Sequence, residues 1–186
     1  MDSKKMSTKT ITMCGLMAAV CCILGPLSIP IGPVPISLTV VAVFLCVYVL
    51  GMVKGTIAYI VYLLLGAVGL PVFSNFEGGF QKIVGPTGGY LVGFIFMALI
   101  SGFFIEHFPV SKWYLHAVGM VLGLSACYVL GTIYFMAITH MGLKESLGLC
   151  VIPFLPFDMV KIAVCIVVGC GLKTALHKAN LIPVKE

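Results

Sequence analysis

The stretch PFDMVKIAVCIVVGCG, residues 156–171, places two opposite charges inside an otherwise apolar run. Asp158 and Lys161 are three positions apart, so on a helix they lie one above the other on a single face. A charged side chain near the bilayer centre costs about 2.5 to 3.5 kcal/mol, so such residues usually face the protein interior, pair up and mark a ligand or ion path. This run therefore predicts a membrane helix that carries one polar binding site.

A second interpretation of this pair stays open at the level of the sequence. Asp158 could be favoured by the positive end of the helix dipole, while Lys161 extends its amine outward along the helix. The two residues would then only stabilise the first turn. We favour the binding interpretation, because an ionisable residue inside a membrane segment is by default a functional-site residue.

The composition of the whole chain indicates that lipid, and not water, surrounds it. Of the 186 residues, 61% are hydrophobic and 9% are charged, and the mean hydropathy is +1.18. Such a chain cannot cover itself with a water-compatible surface, so we predict an all-α integral membrane protein. Its length accommodates roughly six transmembrane helices of ~20 residues and no separate soluble domain.

We predict a single membrane domain over residues 1–186, with re-entrant or capping loops on the extracellular side. Prolines, glycines and charged residues delimit the apolar runs. The six predicted helices cover about residues 11–24, 36–52, 56–70, 90–104, 113–138 and 153–176. Lys54 and Gly55 form the predicted turn between the second and third helices.

The distribution of lysine predicts the orientation in the membrane. The chain has eleven Lys or Arg residues, all of them lysine, and a net charge of +5. They cluster in a few loops, which favours a topology signal over nucleic-acid binding. Six crossings put both termini on one side of the membrane. Only Lys82 and Lys144 lie on the opposite side, whereas the side with the termini carries Lys4, Lys5, Lys9, Lys54, Lys112, Lys173, Lys178 and Lys185. That side is predicted to be the cytoplasm, which puts the start of the sixth helix outside.

The connection over residues 71–89 also lies on the predicted outer side. Loops of this length are usually functional, and irregular backbone at membrane depth persists only against protein or a wet cavity. It contributes amide side chains from Asn75 and Gln81. Together with Asp158 and Lys161, these groups suit a small, partly apolar molecule that has an anionic end and amide-like groups.

Motifs for catalysis and metal binding are absent from the sequence. The four histidines are scattered without an H-E-x-x-H motif, no G-x-S-x-G turn occurs, and the eight cysteines show no C-x-x-C spacing. We therefore predict no catalytic residue, metal or cofactor, and a membrane-embedded hydrolase is disfavoured. A self-sufficient secondary carrier or channel remains as an alternative, since the missing internal repeat opposes it only weakly.

Small residues on the first helix form a ridge. Gly15 and Ala19 are spaced at i and i+4, which lets another helix approach closely. The neighbour could equally belong to this chain or to a partner protein.

Three motifs resemble the BioY family of biotin transporters: PVPISL at residues 33–38, YLLLGAVGLPVF at 62–73 and GPTGGY at 85–90. Together with Asp158 and Lys161, the resemblance spans nearly the whole chain. It implies a high-affinity biotin-binding S component of an energy-coupling-factor (ECF) transporter in the bacterial plasma membrane. Such a subunit captures biotin outside and associates, within the lipid, with a transmembrane coupling subunit and two ATPase subunits.

The resemblance also implies contacts at particular residues. It assigns the polar contacts to biotin to Asp158 and Lys161, and a loop contact to Glu77 or to Asn75, where the family often has asparagine. Thr39 stands where the family often has glutamine. The pair Gly15 and Ala19 resembles the alanine pair through which S components dock on the coupling subunit.

Biotin chemistry agrees with this assignment. Asp158 can accept a hydrogen bond from the ureido N–H groups, and Lys161 can donate to the ureido carbonyl or hold the aspartate in place. The ring of Phe73 or Tyr90 can cover the thiophane ring.

Overall fold

The computed structural model describes residues 8–30 and 34–179. Its helices are α1 (Thr8–Leu24), α2 (Thr39–Ala67), α3 (Phe80–Val84), α4 (Gly88–His107), α5 (Trp113–Thr139), α6 (Leu143–Cys150) and α7 (Leu155–Lys178). Two short antiparallel strands, β1 (Ser28–Ile29) and β2 (Ile36–Ser37), pair with each other. Short 3-10 turns cover Ser74–Phe76 and Val110–Lys112. The predicted helical fold class is confirmed.

Within the part of the chain that the structure describes, four segments are long and apolar enough to cross a membrane. They are Thr39–Ala67, Gly88–His107, Val110–Thr139 and Leu155–Lys178. The apolar helix α1 is shorter, with 17 residues. These lengths follow directly from the hydrophobic runs, because about 20 apolar residues in a helix match the hydrocarbon thickness of a bilayer.

Helix α2 reverses its direction at Gly51. This glycine has φ 79° and ψ −178°, a backbone conformation that is nearly restricted to glycine. In a straight helix Cys46 and Gly55 would be about 13 Å apart along the axis. A Cβ built on Gly55 would instead lie 2.9 Å from the backbone of Cys46. The two arms of α2 therefore pack side by side, and the turn lies before the Lys54-Gly55 position that the sequence predicted.

Glu106, near the end of α4, holds this turn. Its Oε2 accepts a hydrogen bond of 3.0 Å from the backbone N–H of Met52, the first residue after Gly51. The start of a helix leaves backbone N–H groups without partners and carries a partial positive charge, so a carboxylate satisfies both. The contact joins the second arm of α2 to α4.

Replacing Glu106 by alanine is therefore expected to destabilise the protein by about 1 kcal/mol, as expected for the loss of a helix cap. Thermal unfolding in detergent would show this as a lower Tm. Glu145→Ala is the comparison variant and should cost less, because this exposed carboxylate in the first turn of α6 interacts with the helix dipole but has no hydrogen bond or ion pair among the described residues. Equal Tm values for the two variants would contradict the capping role.

Glycines let the helices that carry the polar residues approach closely. A Cβ on Gly93 of α4 would lie 2.9 Å from the sulfur of Cys127 on α5. A Cβ on Gly169 of α7 would lie 2.4 Å from the ring of Tyr48 on α2. Close packing over small residues is how membrane helices associate. It brings α2, α4, α5 and α7 around one core.

Helix α6 lies in a segment that the sequence predicted only as a connection. Helix α5 ends at Thr139, and the positive φ of 56° at His140 redirects the chain into α6. The buried residues of α6 are Ser146 and Cys150, one turn apart on one face. Periodicity over so few residues is too weak to identify a helix from sequence.

Candidate functional site

The two charges of α7 form a buried ion pair. The Nζ of Lys161 lies 2.8 Å from Oδ1 of Asp158, and the two side chains are only 11% and 3% exposed. The hydroxyl of Tyr128, on α5, donates to the other carboxylate oxygen of Asp158. Both carboxylate oxygens therefore have partners, as a buried charge requires. We call this arrangement the Asp158–Lys161 ion pair.

The lysine points into the protein and not along the helix toward solvent. Its Nζ also donates a 2.8 Å hydrogen bond to the backbone carbonyl of Ser37 on β2. The Oγ of Ser37 in turn donates to Oγ1 of Thr39, at 2.9 Å. Thr39 is 2% exposed and begins α2. Lys161 therefore ties the segment around β2 to α7 and brings Thr39 close to the ion pair.

Tyr90 packs against the face of α5 that carries Tyr128. Its ring fills the space beside Gly131, and its hydroxyl lies 3.2 Å from Oγ1 of Thr132. Tyr128 lies three positions before Gly131 and four before Thr132, so all three residues are on the same face of α5. The ring of Tyr90 is thus placed next to the group that hydrogen-bonds Asp158.

Phe73 anchors the long loop to α2. Its ring is 1% exposed, packs edge-on against Tyr62 with a centroid distance of 5.7 Å, and occupies the space where Gly66 lacks a side chain. The hydroxyl of Tyr62 donates to the carbonyl of Val72, at 3.0 Å. The contacts of Phe73 with α2 fix the start of the loop.

Asn75 links the loop to β1. Its backbone N–H donates to Oγ of Ser28, which donates back to Oδ1 of Asn75, both at 2.8 Å. Asn75 and Phe76 have positive φ values of 64° and 58°, so the loop turns sharply here. This pairing holds the loop against the segment that follows α1.

Glu77 and Gln81 lie along an open cleft of about 430 Å³ in the loop. Glu77 forms an ion pair with Lys82 across it. Within residues 8–30 and 34–179, no hydrogen bond joins Asn75, Glu77 or Gln81 to the Asp158–Lys161 ion pair. The structure therefore gathers the helix-borne predicted residues and leaves the loop residues apart from them.

Two groups at this site were not predicted from the sequence. Tyr128 lies within a predicted apolar helix, and Ser37 lies within the PVPISL motif, but neither was assigned a contact. A tyrosine inside a membrane helix does carry a signal, because its hydroxyl must find a partner there. The backbone carbonyl of Ser37 carries no such signal, since every residue has one.

The ion pair can recognise a neutral polar group. A carboxylate accepts hydrogen bonds from N–H donors, and an ammonium donates to a carbonyl oxygen. Charge-assisted hydrogen bonds of this kind are roughly twice as strong as neutral ones. With aromatic rings nearby, this chemistry fits a ligand that carries both an amide-like group and an apolar ring.

The small-residue ridge of α1 faces away from the bundle. A Cβ on Gly15 would meet no atom within 4 Å, and Ala19 is exposed. Cys14 and Ala18, from the adjacent row, are buried. The Gly15 and Ala19 row is therefore open to another molecule.

Comparison with known proteins gives consistent matches. The sequence model of the BioY family matches residues 1–178. A biotin transporter BioY of Thermotoga maritima is 44% identical over 159 residues, covering 86% of this chain and 92% of the relative. A probable biotin transporter BioY of Pyrococcus horikoshii is 32% identical over 164 residues, covering 88% and 96%.

A solved structure matches the fold as well. It is a crystal structure described as the S-component for biotin from an ECF-type ABC transporter. The match has a TM-score of 0.83 and 30% sequence identity, and it covers 92% of this chain and 94% of that one.

Proposed function

Since the chain belongs to the BioY family, we propose that it is the biotin-binding membrane subunit, or S component, of an ECF-type transporter. It is a transport subunit and not an enzyme. Biotin is its ligand, and no cofactor takes part.

The observation that carries this proposal is the Asp158–Lys161 ion pair. Burying two charges costs several kcal/mol per ion before their attraction is counted. A ligand whose groups complete the hydrogen bonding of such a pair explains why the pair stands in an otherwise apolar helix. The ureido group of biotin offers two N–H donors for Asp158 and a polarised carbonyl for Lys161.

The remaining binding residues follow from this orientation. Tyr90 would cover the thiophane ring, because its ring lies beside Tyr128. Thr39 would line the same site, because its hydroxyl accepts a hydrogen bond from Ser37, whose carbonyl binds Lys161. Loop residues Asn75, Glu77, Gln81 and Phe73 would close over the ligand or hold the loop that does so.

We further propose six membrane crossings. Helices α1, α4, α5 and α7 supply four, and the two arms of α2 supply the others. The reversal at Gly51 supports this count, as does the exposed apolar surface of α7, where Val167 is 75% exposed. Both termini would then lie in the cytoplasm of the bacterial cell, by the excess of lysine on that side, and the long loop would lie outside.

The Gly15 and Ala19 ridge would dock on a transmembrane coupling subunit that works with two ATPase subunits. Its openness supports this role, because small residues at a helix surface allow close approach by a partner helix. Lipid would cover the other apolar faces.

Ala19→Trp is expected to abolish co-purification with the coupling subunit and leave biotin binding intact, because the indole ring would fill the ridge. Val167→Trp is the matched control, since it adds the same ring to an exposed apolar face of α7. If the Ala19 variant still co-purified with the coupling subunit, the ridge would have only a structural role.

Two measurements test the proposed function itself. Mass spectrometry of the small molecule that co-purifies with the chain should find biotin, and calorimetric titration should show high-affinity binding. Uptake of biotin into proteoliposomes that contain this chain alone would favour the alternative of a stand-alone carrier or channel.

A further inference from the structure

Two side-chain polar atoms in the described part of the chain are buried without a hydrogen-bond partner, Nε2 of His177 and Oγ of Ser146. His177 stands next to the end of α7, close in sequence to residues that the structure does not describe. Ser146 lies in the middle of α6 and is 0% exposed. Buried hydroxyl groups are nearly always hydrogen-bonded, so this hydroxyl requires a partner beyond the described residues.

Neighbouring polar side chains connect the surroundings of Ser146 to the ion pair. Cys150 lies one turn further along the same face of α6 and is 1% exposed. Its thiol neighbours the Tyr90 side chain. Tyr90 packs against Gly131 and Thr132, on the face of α5 that also carries Tyr128, the hydrogen-bond donor to Asp158.

A polar line therefore runs from Asp158 through the two tyrosines and Cys150 to the inner face of α6. Ser146 lies on this face one helical turn from Cys150, about 6 Å away.

Biotin has an ureido group at one end and a carboxylate at the other. The ureido group can hydrogen-bond both members of the ion pair, whereas a carboxylate could pair only with Lys161 and would face the negative charge of Asp158, so the ligand binds with its ureido group toward the ion pair. The anionic tail then points along the polar line, toward α6.

We propose that Ser146 is a ligand contact, and that its hydroxyl donates a hydrogen bond to the carboxylate of bound biotin. This assignment rests on the proposed function and extends it to the tail of the ligand. It gives the buried hydroxyl the acceptor that the described residues do not supply.

The test compares two variants and two ligands in calorimetric titrations of the purified full chain. Ser146→Ala is expected to weaken biotin binding about tenfold or more, the effect of losing a hydrogen bond to a charged group. It should leave unchanged the affinity for a biotin analogue in which a methyl group replaces the carboxylate. Ser101→Ala is the matched control, because Ser101 is equally buried but donates to the carbonyl of Met97, at 2.5 Å.

Thermal unfolding without ligand separates this effect from misfolding. Ser146→Ala removes an unsatisfied polar group, so its Tm without biotin should equal or exceed that of the wild type. A variant that binds biotin as tightly as the wild type would overturn the assignment. An equal loss of affinity for both ligands would also overturn it, since the serine would then act through packing. A wild-type chain that does not bind biotin would instead overturn the proposed function.

Discussion

Asp158→Asn is expected to weaken biotin binding by at least ~2 kcal/mol, or about thirtyfold. The substitution keeps the shape of the side chain but removes the negative charge. It therefore leaves the ammonium of Lys161 buried beside a neutral group, and it gives the Tyr128 hydroxyl a weaker acceptor. The ureido N–H groups of the ligand lose a charged partner.

Lys161→Ala is expected to have an effect of the same size, for the complementary reason. It leaves the carboxylate of Asp158 without its counter-charge, and it frees the segment that contains Ser37. Removing one member of a buried pair costs more than the pair contributes, because the remaining charge stays desolvated.

Calorimetric titration with biotin measures both effects. Glu145→Gln is a suitable control, because it removes the charge of an exposed carboxylate at the start of α6. Wild-type affinity in both the Asp158 and the Lys161 variants would remove this pair from the binding site.

The second large effect is expected at the reversal of α2. Gly51→Ala should lower the free energy of unfolding by about 1 to 3 kcal/mol, the cost of holding a residue with a Cβ in this backbone region. The new Cβ would also stand 3.1 Å from Oε2 of Glu106, the group that caps the next residue. Strain and a disturbed cap would act together on the turn that sets the two arms of α2 side by side.

Thermal unfolding in detergent, with and without biotin, checks this expectation. Gly148→Ala is the control with the opposite sign, because this glycine lies in the interior of α6 with no atom within 4 Å of the added Cβ. It should be neutral or stabilising by up to about 1 kcal/mol through helix propensity. A Gly51 variant as stable as the wild type would show that the reversal tolerates a side chain.

Most of the helices could be predicted from the sequence, but the turn at Gly51 could not be located. Hydrophobic runs are local, so α4, α5 and α7 correspond closely to predicted helices. The residues from Leu50 to Gly55 are compatible with a turn at either glycine. Only the packing of Gly55 against Cys46, together with the cap from Glu106, selects Gly51.

The candidate site, too, could be predicted from the sequence only in part. Asp158 and Lys161 were recognisable because ionisable residues are rare inside an apolar run, and a spacing of three positions lets the two charges pair on one helix face. The partners of this pair come from distant positions, since Tyr128 is 30 residues from Asp158 and Ser37 is 124 residues from Lys161. No local pattern links such positions.

The sequence by itself determined that this chain belongs in a membrane, that it is helical, and that one helix carries a paired acid and amine. Hydropathy and spacing along a helix are properties of neighbouring residues, which is why they can be read directly. The tertiary structure alone decided which groups meet this pair, and that Ser146 is buried without a partner among the described residues. Those facts depend on how α2, α5, α6 and α7 pack, and close packing is a property of the whole bundle.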